Sequence, residues 1–476
     1  MEILTAAQMY GADKETCAKI MPEIQLMENA GFAAACALSR HFGKQPVTVL
    51  CGSGNNGGDG FVMARVLHGW GWPVEVVFAG DMRSMTESTR FNARRWEGET
   101  FPLSGSTIDR IRKRKAIVVD ALFGIGLSRP LEAPVARQIN ALNEAGIPCV
   151  ALDIPSGIQA DTGKIMGTAL RCVLTLTFAR PKIGHFLYPG REYAATTEVL
   201  PIGIPDEIVI HQDPCLFVNG PDLFHIPAPS PYDHKYTRGA VLIAGGRMTG
   251  AARLAAAGAR RAGAGWVKIV CPPETSALYA AGAPGIIVEA AETSEAFAAA
   301  ANDPKIRAAV IGMGSGVTPE TEKRLEAVVR SEKPFVADAD ALAFITGRDM
   351  THGVLTPHEG EFARFFPGIE GRDKLSRALA AARETGGVIV LKGADTVIAA
   401  PDGRAAIDAE TSFGLATAGS GDVLSGIIGA GLARGLPLFE AACAGVWMHS
   451  QAGILAGKNL IAEDIAEALP FVGTDG

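Results

Sequence analysis

No two of the eight cysteines in this 476-residue chain form a CxxC pair. Scattered thiols of this kind suggest neither a zinc site nor a disulfide framework. Long apolar runs are missing as well: alanine-rich stretches such as Leu254 to Ala264 are broken by Arg and Gly, which argues against a membrane span. The opening MEILTAAQMYGADKE carries charges and no long apolar core, so no signal peptide is expected. Positive charge is not in excess. The formal net charge of −7 disfavours a nonspecific nucleic-acid coat and permits local basic sites. The run Arg110 to Lys115 (RIRKRK) reads as a solvated helix end. A soluble cytoplasmic protein without nucleic-acid or membrane partners is the expectation.

What is present points to two α/β domains. The chain is too long for one ordinary domain, and 48% hydrophobic residues can fill substantial cores. Strand-like runs recur at Val47–Leu50, Val74–Phe78, Ala116–Val119, Pro148–Leu152 and Arg171–Phe178, with helical segments between several of them. That order predicts βα units and a mostly parallel sheet. Residues Pro201 to Asp233 are proline-rich and aperiodic, which suggests a domain edge and a linker. A second series follows at Ala240–Ala244, Trp266–Val270, Ala308–Ile311, Pro334–Ala337, Gly387–Leu391 and Thr396–Ala399. It ends in apolar helical stretches at Val423–Leu432 and Ala441–Ala456.

The densest motif of the first part is CGSGNNGGDGF, Cys51 to Phe61, between a strand and a helix former. Glycines there allow positive φ and let backbone N–H groups approach an anion, and the helix N-terminus adds partial positive charge. Gly52, Gly54 and Gly57 spell GxGxxG, with Asp81 as a possible ribose acid, which alone is a weak signal. A P-loop is excluded because the Gly-Lys-Ser/Thr ending is missing. The bland alternative is a tight left-handed turn. Two more loops, VVDALFGIGLSRP (Val118–Pro130) and ALDIPSG (Ala151–Gly157), follow strand-like runs. In a parallel sheet all three meet at one rim. Asn56, Asp120, Asp153 and Ser156 then converge as oxygen donors without Cys or His, a set suited to a hard cation.

LMENAG, CGSGNNGGDGF, VDALFGIGL and DIPSG, in this order over about the first 215 residues, resemble the YjeF N-terminal family. Its members are Rossmann-like NAD(P)H-hydrate epimerases that bind K⁺. The resemblance implies that Asn56, Asp120 and Ser156 help hold K⁺. It implies that Asn55, Asn56, Gly57, Gly58, Asp59, Gly124, Ile125, Gly126, Leu127, Ser128, Arg129, Pro130 and Asp153 bind the hydrated dinucleotide, with Asp153 as the candidate catalytic carboxylate. Ile125 stands where the family often has Thr.

In the second part the strongest stretch is ATAGSGDVLSGIIGAGLARG, Ala416 to Gly435. Small residues precede Asp422, and an apolar helix begins at once. Its N-terminus offers free N–H groups to a phosphate, and Asp422 beside it suits proton acceptance from a hydroxyl. A helix cap is the bland alternative. LKGADTVIAAPDG predicts a β-hairpin beside a nucleotide, TPHEGEF puts His358 next to two acids, and DADAL adds Asp338 and Asp340 at another strand end.

Together with HKYTRGAVLIAGG, GAARLAAAGARRAGAGWV and VIGMGSG, these stretches resemble the ribokinase-like YjeF C-terminal family, the ADP- or ATP-dependent NAD(P)H-hydrate dehydratases. The resemblance implies substrate contacts from Ala252, Gly316, His358 and Asp422. It implies nucleotide contacts from Lys392, Gly393, Ala394, Asp395, Thr396 and Gly421, with Mg²⁺ accompanying ADP or ATP. Met313, Ser315 and Glu359 depart from the family's usual GPGLG and TPHPGE. The expected organisation is an epimerase domain over 1–215, a linker over 216–230 and a dehydratase domain over 231–476, in a homo-oligomer. The expected substrates are NADHX and NADPHX. A vitamin-precursor kinase fused to a non-catalytic nucleotide-binding scaffold is the competing reading.

Overall fold

The computed structural model describes residues 1–228, 230–369 and 373–473. It divides into two units, Met1–Leu216 and Phe217–Gly476. Among the described residues no helix is long and apolar enough to cross a membrane.

The first unit is built on a seven-stranded sheet: β1 (Val47–Cys51), β2 (Val74–Phe78), β3 (Thr100–Pro102), β4 (Ile117–Ala121), β5 (Cys149–Leu152), β6 (Leu174–Phe178) and β7 (Thr196–Leu200). The spatial order is β3-β2-β1-β4-β5-β6-β7, and every pair is parallel. The inner strands are buried on both faces and largely apolar, with Thr48, Glu75, Asp120, Thr175 and Thr177 as their buried polar or charged residues. The order reverses between β1 and β4, which opens a crevice at the strands' carboxyl ends. Because β1, β4 and β5 are neighbours, the three loops singled out in the sequence share that rim.

The second unit has a ten-stranded sheet. Its strands are β8 (Leu216–Val218), β9 (Ala240–Ala244), β10 (Trp266–Cys271), β11 (Ile286–Ala290), β12 (Ile306–Ile311), β13 (Phe335–Ala337), β14 (Gly353–Leu355), β15 (Val388–Leu391), β16 (Val397–Ala399) and β17 (Ala405–Ile407). The order is β11-β10-β9-β12-β13-β14-β15-β16-β17-β8. From β11 to β15 the pairs are parallel, and β15-β16-β17 is an antiparallel meander. The apolar stretches expected to be helical lie in the helices Ser420–Ala433 and Leu438–Ala456, which are buried along most of their length.

The helix Leu438–Ala456 packs on Ser420–Ala433, and together they cover one face of the second sheet. Two expectations are corrected here. Within 216–230, expected as a linker, Leu216–Val218 is a strand of the second sheet and Pro221–Leu223 is a 3-10 turn. Asn219 N donates to Ile407 O at 2.9 Å, and its amide reaches Asp408 Oδ1 and Cys443 O, both at 3.2 Å. These bonds tie the segment into the second unit. The basic run is also not merely solvated. Arg114 and Arg110 lie 2.5 and 3.6 Å from the buried Glu75 carboxylate, whose charge they compensate.

Candidate functional sites

The helix Asn55–Gly69 starts directly after the β1 loop, with Gly54 as its N-cap. None of the loop glycines Gly52, Gly54, Gly57, Gly58 and Gly60 has a positive φ, so the left-handed turn is not what requires them. Close approach is. A Cβ on Gly52 would meet Leu122 O at 2.0 Å, and one on Gly57 would meet Gly52 O at 1.9 Å. Gly57 and Gly58 donate their N–H groups to Gly54 O, and a Cβ on Gly58 would strike the Met27 sulfur. These two glycines therefore face protein. They bring the loop and helix together, and the cleft wall is formed by their neighbours Asn55, Asn56 and Asp59.

The cleft has a volume of about 1290 Å³. Asn55, Asn56, Asp59, Gly124, Ile125, Gly126, Leu127, Ser128, Arg129, Pro130 and Asp153 all line it, as does Asp81. Asn55 is held by Glu23 and Thr86 at 3.1 and 2.7 Å. Asn56 is buried: Nδ2 donates to Leu152 O at 3.2 Å, while Oδ1 has no hydrogen-bond partner among the described residues. Gly124 lies against Asn56 and Asp153, since a Cβ there would sit 3.3 Å from Asn56 Cβ and 3.1 Å from Asp153 Oδ2.

Asp153 follows β5 in the left-handed region, φ +64°, an uncommon conformation for a non-glycine residue. Its Oδ1 accepts from Lys182 Nζ at 2.6 Å and Thr177 Oγ1 at 3.2 Å, and its carbonyl meets His185 Nε2 at 2.8 Å. Burial works to raise its carboxyl, but Lys182, His185 and Thr177 outweigh it and hold Asp153 below the usual carboxylate range. Asp59 goes the other way: burial, then the charges of Asp153, Asp13 and Glu23, push it well up.

Asp120 and Ser156 sit beneath the cleft rather than in its wall. Ser156 donates through Oγ to Asp120 Oδ1 at 2.7 Å and through N to Oδ2 at 2.8 Å, and Leu122 N donates to Oδ1 at 3.2 Å. Asp120 is fully buried with no basic side chain beside it, and burial pushes it up to about 6 despite those hydrogen bonds. Among the described residues no group of three His, Cys, Asp or Glu side chains could hold a metal. The donors here are instead an amide, a hydroxyl and one carboxylate.

In the second unit, Asp422 stands in the first turn of the helix Ser420–Ala433, whose N-cap Gly419 has φ +87°. Burial and the Asp338 charge push its carboxyl up to about 6, with Lys392 opposing. Asp338, after β13, accepts from Lys392 Nζ and from Ser425 Oγ, each at 2.8 Å. A Cβ on Gly421 would sit 3.3 Å from Lys392 Nζ, so Gly421 joins the same cluster. Gly316, φ +77°, donates its N–H to Asp340 Oδ2 at 2.7 Å.

The expected hairpin is present as β15 and β16, with Lys392, Gly393, Ala394, Asp395 and Thr396 between them. Thr396 Oγ1 donates to Gly393 O at 2.8 Å, and Lys374 Nζ donates to Asp395 Oδ1 at 2.6 Å, so the loop is braced from inside and outside. His358 caps the helix Glu359–Phe365: its Nδ1 accepts from Gly360 N and Glu361 N at 3.0 and 3.2 Å. Glu359 occupies the first helical position, where an acid suits the helix dipole as a proline suits its geometry, and it pairs with Arg377 at 2.8 Å. Ala252 lies deeper than the other expected contacts. It is wholly buried in the core under the helix Thr249–Arg261, and the partly exposed neighbour against Gly314 is Ala251.

Sequence reasoning missed Tyr10, Asp13 and Lys182, all of which line the first cleft. The signals were the three- and four-residue spacing in MYGADKETC and a lysine in the loop after β6, a fourth strand end at the same rim.

Both units have relatives among known proteins. Residues 23–184 match the YjeF-related protein N-terminus, and residues 240–470 match NAD(P)H-hydrate dehydratase. The chain is 37% identical to the bifunctional NAD(P)H-hydrate repair enzyme Nnr of Moorella thermoacetica, over 99% of this chain and 96% of that protein. It is 34% identical to the protein of the same name from Pyrobaculum aerophilum, over 99% of this chain and 98% of that one. Among solved structures, the ADP/ATP-dependent NAD(P)H-hydrate dehydratase from Bacillus subtilis, co-crystallised with ATP/Mg²⁺, is 29% identical with a TM-score of 0.49, covering 54% of this chain and 97% of that one. The chain belongs to the bifunctional NAD(P)H-hydrate repair enzymes.

Proposed function

We propose that the two sites divide the two repair reactions of this family between them. The enzyme epimerises the R and S hydrates of NADH and NADPH and dehydrates the S hydrate back to NAD(P)H with a nucleotide. The first cleft takes the dinucleotide for epimerisation, with its phosphates at the start of the helix Asn55–Gly69 and Asp153 as the reacting carboxylate. What supports this division most is one observation: each sheet carries a candidate carboxylate at its carboxyl rim, Asp153 beside a lysine and Asp422 at a helix N-terminus.

K⁺ fits the first unit. Asn56 Oδ1 is a buried oxygen without a partner, and Asp120 is a buried carboxylate without a basic neighbour. Asn56, Asp120 and Ser156 would hold the ion. Bound there, it supplies fixed positive charge and no redox chemistry.

In the second unit, hydroxide is a poor leaving group from the hydrated ring, and phosphorylation of the hydroxyl makes a good one. Asp422 accepts the hydroxyl proton as the oxygen attacks the terminal phosphorus, and the bond from that phosphorus to the nucleotide's bridging oxygen breaks, so that AMP leaves from ADP or ADP from ATP. Free N–H groups at the start of its helix face the developing phosphate charge. Lys392, fixed by Asp338, adds a positive charge. The C6–O bond then breaks and phosphate leaves, a proton passes from C5 to water, and the C5–H electron pair forms the ring double bond. ADP is the donor we favour, with ATP as the alternative. With a nucleotide bound, Mg²⁺ would supply positive charge to its phosphates, and Asp338 and Asp422 are the carboxylates that would hold it there.

The test is separation of function. Asp422→Asn should lower dehydration of the S hydrate by about 10²–10⁴-fold and leave epimerisation intact, whereas Asp153→Asn should do the reverse. Chromatography of both epimers and NADH reads each activity. Loss of both activities in either variant contradicts the division.

A further inference from the structure

The helix Ala6–Lys19 precedes the βα units, yet Met9, Tyr10, Asp13, Lys14 and Cys17 all line the cleft. Their spacing puts them on one helical face. The helix is fixed in place: Ala6 N donates to Asp161 Oδ1 at 2.7 Å, and Gln8 Nε2 donates to Gln212 O at 3.1 Å. Asp13 is the one acid among those five residues. The charged groups that act on it are Lys182, Asp153 and Glu23, and Asp59 feels its charge in turn. Lys182 Nζ already donates to Asp153 Oδ1, Thr177 Oγ1 and Phe178 O at 2.6, 3.0 and 3.2 Å, which uses all three of its N–H donors. It has no donor left for Asp13.

We propose that Asp13 is the acid of the epimerisation and Asp153 its base, the two carboxyls meeting the carbinol carbon from different elements of one cleft. This rests on the epimerase reading of the first unit. The environments fit unlike roles. Burial pushes Asp13 up to about 6, with Lys182 opposing and Asp153 and Glu23 adding, whereas Asp153 is held low. The Asp13 proton goes to the C6 hydroxyl. The C6–O bond breaks, the ring N1 lone pair forms C6=N1, and water leaves. A second water adds to the other face of C6, its proton goes to Asp153, and the C6=N1 pair returns to nitrogen. No oxidant or reductant is needed. The proton has moved from Asp13 to Asp153, and exchange with solvent resets the pair.

Full-length Asp13→Asn and Asp13→Glu test this in an R-to-S conversion assay without nucleotide. Asp13→Asn should lower kcat by about 10²–10³-fold with KM nearly unchanged, and Asp13→Glu should recover part of it. The wild-type rate should fall as pH rises above about 6, and Asp13→Asn should lose that limb. A kcat near wild type, or a change in KM alone, overturns the assignment while leaving the epimerase reading standing. An inactive wild type overturns both. Should Asp13→Asn fail to fold, the wild-type protein in heavy-oxygen water decides: the new epimer must carry the label at C6, and a product that keeps its original oxygen refutes the pair.

Discussion

Asp120 is a carboxyl sealed from water whose hydrogen-bond partners, among the described residues, are Ser156 and the Leu122 N–H. Its folded value of about 6 lies above the ordinary 3.8, so the native state binds the proton more tightly than the unfolded one. The sign follows: stability falls as pH rises from about 4 to about 6, and the full cost remains above that window. A cation bound to the ionised form offsets the cost. K⁺ should therefore raise the unfolding temperature of the first unit near pH 8 and much less near pH 5, by roughly the Tm shift of a 1–2 kcal/mol effect. Asp120→Asn should remove the difference, as thermal scans in K⁺ and in a large organic cation will show. At this scale the sequence was informative where a residue's neighbours in the chain announce it. Asn56, Asp153 and Asp422 stand in glycine- or small-residue loops at strand ends. Asp13 and Lys182 are made functional by tertiary position, and Ala252 differs from Ala251 only by the rotation of one helix.

At the scale of elements, the opening glycine loop is a packing device before it is a ligand cradle. The start of the helix Asn55–Gly69 rests on the Gly52 carbonyl, and a side chain at Gly57 would meet backbone that cannot move aside. Gly57→Ala should cost about 1–3 kcal/mol through overpacking. Epimerisation should collapse while dehydration of the S hydrate persists. Denaturant midpoints and the two activities measured on one preparation check this. The central strands were readable because strands buried on both faces are short, mostly apolar, β-branched runs. The strands Thr100–Pro102, Gly353–Leu355 and Ala405–Ile407 were not: three residues carry no period, and these three lack the longer apolar flank that marked Pro334–Ala337 and Thr396–Ala399. Thr196–Leu200, an exposed edge, and Ile286–Ala290, at the far edge of the other sheet, were also missed.

For the whole molecule, the break in composition around Pro201 located the division into two units only approximately. The structure sets it at Leu216, because Asn219 and its neighbours complete the second sheet. A fragment beginning at Phe217 should fold and dehydrate the S hydrate alone. One beginning at Ser230 loses the bonds of Asn219 to Ile407, Asp408 and Cys443 and should melt several degrees lower. Calorimetry of the two fragments decides whether the boundary lies where the bonds put it. The central claim is that one chain carries both halves of a repair cycle. Its most direct test gives purified full-length protein the R hydrate alone and follows the products by mass spectrometry. Without nucleotide, the R hydrate should become a mixture of both epimers and no NADH should form. With ADP or ATP and Mg²⁺, the whole pool should become NADH. An R hydrate that stays unchanged in both conditions, or an S hydrate that forms and then resists every nucleotide, contradicts the account.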